Sequence, residues 1–307
     1  MGLLDRLLIF WPIYIIICLL ITVSGSIYGW THDLRLIVIA FWIICIIRAT
    51  FNTGYTTPSN WYLRSLMQCI VPSADTIGYN INDTSGFNHN RQAIYIWYPH
   101  SHFGMIPFNL IVQGMGSSIW KRPTTICAAP PFFGIPALHE ISLSFGLVKN
   151  DYTSMKESLK GGPSMVIIPG GTKEVHLAKS GSMLLVDGRK GFLRLAQEFG
   201  LPIIPVFAFG ENEFFEGRSA ESSNIMHKLL KRAGGSFQCP SMKSILNWLQ
   251  MEGACDAKIH LGSPFNCPAE ASISELQGAW KSHVTTFYDG CRPAHYEAIE
   301  WITGKPK

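Results

Sequence analysis

The sequence predicts an α/β fold, a sheet flanked by helices, preceded by an N-terminal membrane hairpin. Two patterns lead there. From Arg91 onwards short apolar, strand-like runs alternate with helix-like stretches, which argues for an α/β architecture. Ahead of them Leu7 to Val23 is almost wholly apolar, and Leu34 to Ile47 is nearly so. A chain of 307 residues can bury a full α/β core. Charged residues are only 15% and apolar ones 47%, a balance that suits membrane association. The net charge of +4 is too mild to argue for nucleic acid as a partner.

A membrane span needs about 20 apolar residues, so the first segment qualifies and the second reaches that length only with its flanks. Arg35 can snorkel to the interface to extend it. Arg6 and Arg48 lie at the outer ends, while Ser24 to Asp33 between the segments has neither Lys nor Arg. Because Lys and Arg favour the cytoplasmic side, this reads as a transmembrane or re-entrant hairpin over residues 1–50 with both termini cytosolic. A cleaved signal peptide fits less well: the first segment is long, contains Pro12, and is followed at once by a second. Residues 51–90 form a connecting segment rich in turn formers, and Trp61 and Tyr62 suit the headgroup layer. Residues 91–307 form the α/β domain. The eight cysteines contain no Cys-x-x-Cys pair and no zinc-like spacing, so they read as reduced thiols facing the cytosol.

Within the globular part, strands are expected at Ile94 to Trp97, Thr124 to Ala128, Met165 to Ile168, Ile203 to Phe209 and Lys258 to Leu261. Helical patterns cover Pro136 to Phe145, Asp151 to Leu159, Gly191 to Phe199 and Ser274 to Tyr288, with Asp151 as a side-chain cap. The stretch IYIWYPHSHFG, Ile94 to Gly104, is the centre of interest. A buried strand ends at Pro99, and His100, Ser101 and His102 follow before Gly104. The carboxyl end of a strand in an open α/β sheet is where chemistry usually sits. Imidazole is the side chain whose unperturbed pKa suits proton transfer near neutrality. His100 or His102 is therefore a candidate base or metal ligand.

Three later stretches add to this. In MVIIPGGTKE a strand leads into Gly170 and Gly171, whose paired glycines permit close backbone approach by a ligand, and Lys173 offers charge to an anion. Arg189 and Lys190 precede a helix whose dipole disfavours cations at that end, an arrangement suited either to a nearby phosphate or to a solvated basic turn. Glu211, Asn212 and Glu213 follow another strand, where a carboxylate can orient His100 or pair with Lys or Arg. The Gly-x-Ser-x-Gly elbow, the His-Glu-x-x-His zinc motif, the Walker-type loop and the Gly-x-Gly-x-x-Gly fingerprint are all missing, which weakens hydrolase, zinc-protease, NTPase and dinucleotide readings.

Together these stretches resemble the type-two diacylglycerol acyltransferase family. Tyr98-Pro99-His100-Ser101 is similar to its His-Pro-His-Gly motif, and GRKGF at Gly188 to Phe192 followed by PVFAFGENE to its most distinctive block. PGGTKE at Pro169 to Glu174 resembles the glycine-pair segment, and Leu261-Gly262-Ser263-Pro264 the late Gly-x-Pro turn. Tyr98 replaces the motif's first His and Ser101 its Gly, so only His100 is carried over as catalytic. The resemblance implies a glycerolipid-acyltransferase-like sheet and an endoplasmic-reticulum membrane enzyme with its catalytic domain facing the cytosol. It would transfer a fatty acyl group from acyl-CoA, a co-substrate, to a diacylglycerol hydroxyl, in triacylglycerol biosynthesis. Monoacylglycerol, a fatty alcohol or a sterol would serve the same chemistry as neutral lipid acceptor.

On that reading His100 is the base and Glu174 ranks first as its carboxylate partner. The backbone at Gly170 and Gly171 or beyond Gly104 meets the oxyanion, and Lys173, Arg189 and Lys190 hold the coenzyme's phosphates. Pro99, Ser101, His102, Glu211, Asn212 and Glu213 support the site, and neither cofactor nor metal is required. The oligomeric state is left open, homo-oligomers included. Two readings from other classes stand beside it: a metal-dependent hydrolase using His100 and His102, whose spacing puts both on one face of a strand, and a non-catalytic lipid-binding scaffold.

Overall fold

The computed structural model describes residues 80–100, 122–130, 146–211 and 257–303, together with residues 27, 39, 40, 43, 107, 133, 139 and 142. In chain order the elements are β1 (Asn80–Asp83), β2 (Ile94–Tyr98), β3 (Thr124–Ala128), β4 (Leu147–Lys149), α1 (Tyr152–Lys160), β5 (Ser164–Ile167), α2 (Gly171–Leu177), β6 (Met183–Asp187), α3 (Gly191–Phe199), β7 (Ile203–Phe209), β8 (Lys258–Leu261), α4 (Ile273–Cys291) and β9 (Ile299–Thr303). The mixed α/β architecture predicted from the sequence is the one found. The chain divides into two compact units, Met1–Ile70 with Thr125–Gly161, and Val71–Thr124 with Gly162–Lys307.

In the first unit β3 and β4 pair in parallel, with Ile126 opposite Leu147. The expected cap of α1 is present: the Asp151 carboxylate accepts from the Ser154 main-chain N–H at 2.9 Å, satisfying a helix-end donor that has no partner inside the helix. Ile39, Ala40 and Ile43 are helical and exposed, as is Ile27. Otherwise the segments expected to form the hairpin, and most of the connecting segment, lie outside the described residues. Among the described residues no helix is long and apolar enough to cross a membrane.

The second unit carries the strands that matter for the site, in the order β1-β8-β7-β2-β5. β2 lies between β7 and β5 and runs parallel to both, with Ile94 opposite Ile203 and Met165. All five residues of β2 and all seven of β7 are buried, which explains why they read as unbroken apolar runs rather than alternating ones. β8 pairs antiparallel with β7, and β1 runs parallel to β8. Pro205 gives up one N–H inside β7, but its carbonyl accepts from the Gly262 N–H at 2.9 Å. Apolar packing continues through helix α3, which buries Phe192, Leu193, Leu195 and Ala196 and ends at Gly200 in the left-handed conformation.

β6 and β9 form a separate parallel pair, with Met183 opposite Ile299 and Asp187 opposite Thr303. Neither was expected from sequence, nor were β1 and β4. These are strands of three to five residues that form by pairing with partners elsewhere in the chain, β1 with β8, β4 with β3, and β6 with β9. Helix α4, expected at Ser274 to Tyr288, is three residues longer at its end and starts on a reciprocal cap between Ser272 and Glu275. It buries Leu276, Trp280, Val284 and Tyr288, the i, i+4 row of one face. A buried histidine, His89, sits between the Tyr95 hydroxyl and Asp83, each at 2.8 Å. That cluster lies at the end of β1 and start of β2, the opposite edge of the sheet from His100.

Among the described residues Cys127, Cys267 and Cys291 are free thiols. Burial pushes the Cys267 thiol up to about 11, so it remains protonated at neutral pH.

Candidate active site

The carboxyl end of β2 is where the predicted residues converge. Tyr98 closes the strand fully packed: its ring stacks on Phe207 at 5.5 Å between centroids, and its hydroxyl accepts from Trp280 Nε1–H at 3.3 Å. The Tyr98–Pro99 peptide is cis. Pro99 is buried, and His100 emerges half-buried immediately beyond it.

Because β5 lies beside β2 and runs the same way, its end reaches the same edge of the sheet. There the chain turns through Gly170 and Gly171 into α2, with Gly171 at φ +57°, a left-handed value that glycine tolerates and most residues do not. Glu174, in the first turn of α2, is only 2% exposed. Its carboxyl accepts two main-chain N–H groups, that of Val186 at 2.7 Å through Oε1 and that of His100 at 3.2 Å through Oε2. The glutamate therefore engages His100 through the main chain and ties it to the far end of β6.

Gly170 is needed for this arrangement. A Cβ built on it would overlap the Cδ and Oε2 atoms of the Glu174 carboxyl. The second glycine faces a cation instead: an Arg189 guanidinium nitrogen lies 4.0 Å from where a Cβ on Gly171 would stand. Burial pushes the Glu174 carboxyl up to about 7, opposed by the Val186 and His100 N–H groups and by the Arg189 charge. A buried carboxyl with a raised pKa, bonded to the backbone of the candidate base at a sheet edge, makes this the candidate functional site.

The structure thus brings together His100, Glu174, Gly170, Gly171 and Arg189 from three separate stretches of sequence. Lys190, half-buried, is the residue ahead of α3, and Lys173 is half-buried on α2. Glu211 is fully buried just past β7, at the same sheet edge, after Gly210, whose N–H donates to the Tyr296 hydroxyl at 3.0 Å. Ser101, His102, Gly104, Asn212 and Glu213 lie outside the described residues. Among the described residues no three His, Cys, Asp or Glu side chains gather as a cation site.

Sequence reasoning missed Trp280, which touches the strand end that delivers His100, and Asp187, which precedes the basic turn. The amphipathic pattern of α4 was legible, but which of its residues meets the site depends on how the helix lies against the sheet.

Comparison with known proteins identifies a family. Residues 30–241 match the family model described as Diacylglycerol acyltransferase. Diacylglycerol O-acyltransferase 2A of Umbelopsis ramanniana is 28% identical over 150 residues, 47% of this chain and 42% of the relative. Human 2-acylglycerol O-acyltransferase 1 is 38% identical over 91 residues, 28% of this chain and 27% of that protein. Human acyl-CoA wax alcohol acyltransferase 2 is 34% identical over 134 residues, 41% of this chain and 40% of that one. The chain matches less than half the length of each of these curated relatives. With the family match extending over more than half of its residues and holding the histidine, the glycine pair and the basic turn, this chain belongs to the diacylglycerol acyltransferase family.

Proposed function

We propose that this chain is a membrane-bound O-acyltransferase that moves a fatty acyl group from acyl-CoA to the hydroxyl of a diacylglycerol, forming triacylglycerol. The observation that carries the reading is the Glu174 carboxyl, seated over Gly170 and bonded to the His100 main chain beside Arg189. It joins, at one sheet edge, an imidazole suited to general-base work and a cationic turn suited to the phosphates of the acyl donor.

In the reaction the acceptor hydroxyl donates a hydrogen bond to a neutral His100 imidazole. His100 takes the proton as the oxygen attacks the thioester carbonyl. The carbonyl oxygen gains negative charge, and main-chain N–H groups at Gly170 and Gly171 are the donors assigned to meet it. Collapse of the tetrahedral species breaks the carbon–sulfur bond and leaves an ester. The coenzyme leaves as thiolate, which takes back the proton from the imidazolium, so His100 ends neutral. Arg189, Lys190 and Lys173 hold the coenzyme's phosphates. Glu174 acts as a positioning residue, and no cofactor is required.

The membrane assignment is supported by the two apolar segments before residue 50 and by exposed Ile27, Ile39 and Ile43 on helical backbone, with Ile39 and Ile43 one turn apart. A cytosolic catalytic face is supported by the charge pattern around those segments, and an endoplasmic-reticulum location by the family resemblance alone. Relatives named for 2-acylglycerol and wax alcohol make monoacylglycerol and long-chain alcohol the competing acceptors.

The test uses membranes containing the full chain, labelled acyl-CoA, and a panel of diacylglycerol, monoacylglycerol, fatty alcohol and sterol, with products separated by polarity. Diacylglycerol is expected to be the best acceptor. His100→Ala is expected to lower transfer by about 10²–10⁴-fold with membrane attachment unchanged. An unaltered rate in that variant would place the base elsewhere. Transfer to none of the panel would favour the scaffold.

A further inference from the structure

We propose that Asp187, Gln277 and Lys281 are positioning residues for the acyl donor: helix α4, which lies beyond the family-matched residues 30–241, clamps the basic turn 188–190 and registers it against the strand end that carries His100. The inference rests on the acyl-CoA reading above and adds to it a part of the chain that the family match does not reach.

The clamp holds the turn from both sides. Upstream, Asp187 is the last residue of β6. Its Oδ1 accepts from the Gly188 N–H at 2.7 Å and from Gln277 Nε2 at 2.6 Å, while its Oδ2 pairs with Lys281 Nζ at 2.9 Å. Gln277 and Lys281 are one turn apart on α4, so a single helix face supplies both. Lys281 Nζ also lies 4.8 Å from the ring centroid of Trp301 on β9, which itself pairs along the whole of β6. Downstream, Phe192 in the first turn of α3 packs edge-on against Trp280 at 5.6 Å. At the other end of α3, Gln197 Nε2 donates to the carbonyls of Pro268, Ala269 and Ala271, just ahead of α4.

Trp280 closes the arrangement, because its indole N–H donates to the hydroxyl of Tyr98, two residues before His100. Positions 277, 280 and 281 of one helix therefore touch both flanks of the basic turn and the strand that ends at the base. A lone exposed Asp–Lys pair would contribute little. This carboxylate gathers a cation, a side-chain amide and a main-chain N–H, and together they outweigh the effect of burial and hold it below its ordinary range. The turn it anchors is the one that places Arg189 beside Gly171 and Glu174. Fixing that turn holds its cations where the donor's phosphates dock, and so sets how tightly the acyl donor is bound.

The test compares wild type with Lys281→Met and Lys281→Arg in the full chain, using coenzyme A for binding and both acyl-CoA and acyl-pantetheine for turnover. Acyl-pantetheine keeps the thioester but lacks the nucleotide phosphates. Lys281→Met is expected to weaken coenzyme A binding and raise KM for acyl-CoA roughly tenfold, to change kcat by less than about twofold, and to leave acyl-pantetheine kinetics unchanged. Lys281→Arg restores binding. Equal slowing with both donors, the result a loosened fold would give, overturns the clamp, as does unchanged coenzyme A binding. A wild type that binds coenzyme A yet transfers nothing would refute the proposed reaction, while the binding ratio still decides the clamp.

Discussion

Replacing Gly170 by Ala isolates the contact between the glycine turn and the base. The backbone at Gly170 has φ −65° and ψ −36°, values that alanine adopts freely, so the substitution introduces no backbone strain of its own. What it introduces is a methyl group in the space held by the Glu174 carboxyl. The carboxyl is almost wholly enclosed, and any movement away from the methyl takes Oε2 from the His100 N–H and Oε1 from the Val186 N–H. A buried donor left without an acceptor costs about 1–3 kcal/mol, so losing both comes to roughly 2–6 kcal/mol.

Because His100 shifts with its main chain, transfer is expected to fall about 10²-fold, the scale on which misplacements of ~1 Å act. The assay is a double-mutant cycle with Glu174→Ala, reading acyl-transfer rate and thermal midpoint in detergent. If Gly170 acts only through the Glu174 carboxyl, Gly170→Ala does no further harm once that carboxyl is gone, and the double variant matches Glu174→Ala alone. Two effects that simply add, or a wild-type rate in the single glycine variant, would refute the reasoning.

Two further outcomes are expected, one at Glu174 itself and one at a separate glycine. Glu174 is held up at about 7 against an ordinary 4.5, so between those values the folded chain binds more protons than the unfolded one. Stability from this group is therefore fullest below about pH 4.5 and is lost as pH rises through about 7, by roughly 3 kcal/mol at about 1.4 kcal/mol per tenfold in proton affinity. Glu174→Gln should flatten that part of the profile in denaturant titrations at several pH values, and parallel profiles for the two proteins would show that another group is responsible. At Gly262 a Cβ would stand 2.7–2.8 Å from three atoms of the Phe287 ring, closer than packed atoms approach. Gly262→Ala should cost about 1–3 kcal/mol, read as a lower unfolding midpoint, and Phe287→Leu in the same chain should recover part of it. Full additivity of those two changes would mean that the ring is not what excludes the methyl.

Legibility in the sequence followed the range of the force that made each feature. The spans of β3, β7, β8 and α3 match those expected, because β-branched or apolar runs, or a strong helical face, bounded by turn residues decide them locally. β9 was not legible, since Ile299–Thr303 becomes a strand only by pairing with β6, far away in the chain. The site residues His100, Gly170, Gly171, Glu174 and Arg189 were all singled out by type and spacing. Glu174 was expected to serve the imidazole, and the structure shows its carboxyl on two main-chain N–H groups. A carboxylate's residue type announces that it needs donors, but the donors that reach it depend on where β2 and β6 end in space.

Local signals were enough for the α/β class, the strand that leads to His100, the glycine pair and the cationic turn, because periodicity, proline and glycine act over a few residues. Tertiary structure alone decided that Glu174 lies over Gly170 rather than facing solvent, and that α4 presents Gln277, Trp280 and Lys281 to the turn and the strand end. The contacts of Glu174 with His100 and of α4 with the turn and the strand end join residues about 70 to 180 positions apart, and only the packing of helices against the sheet brings such distant groups within hydrogen-bond reach.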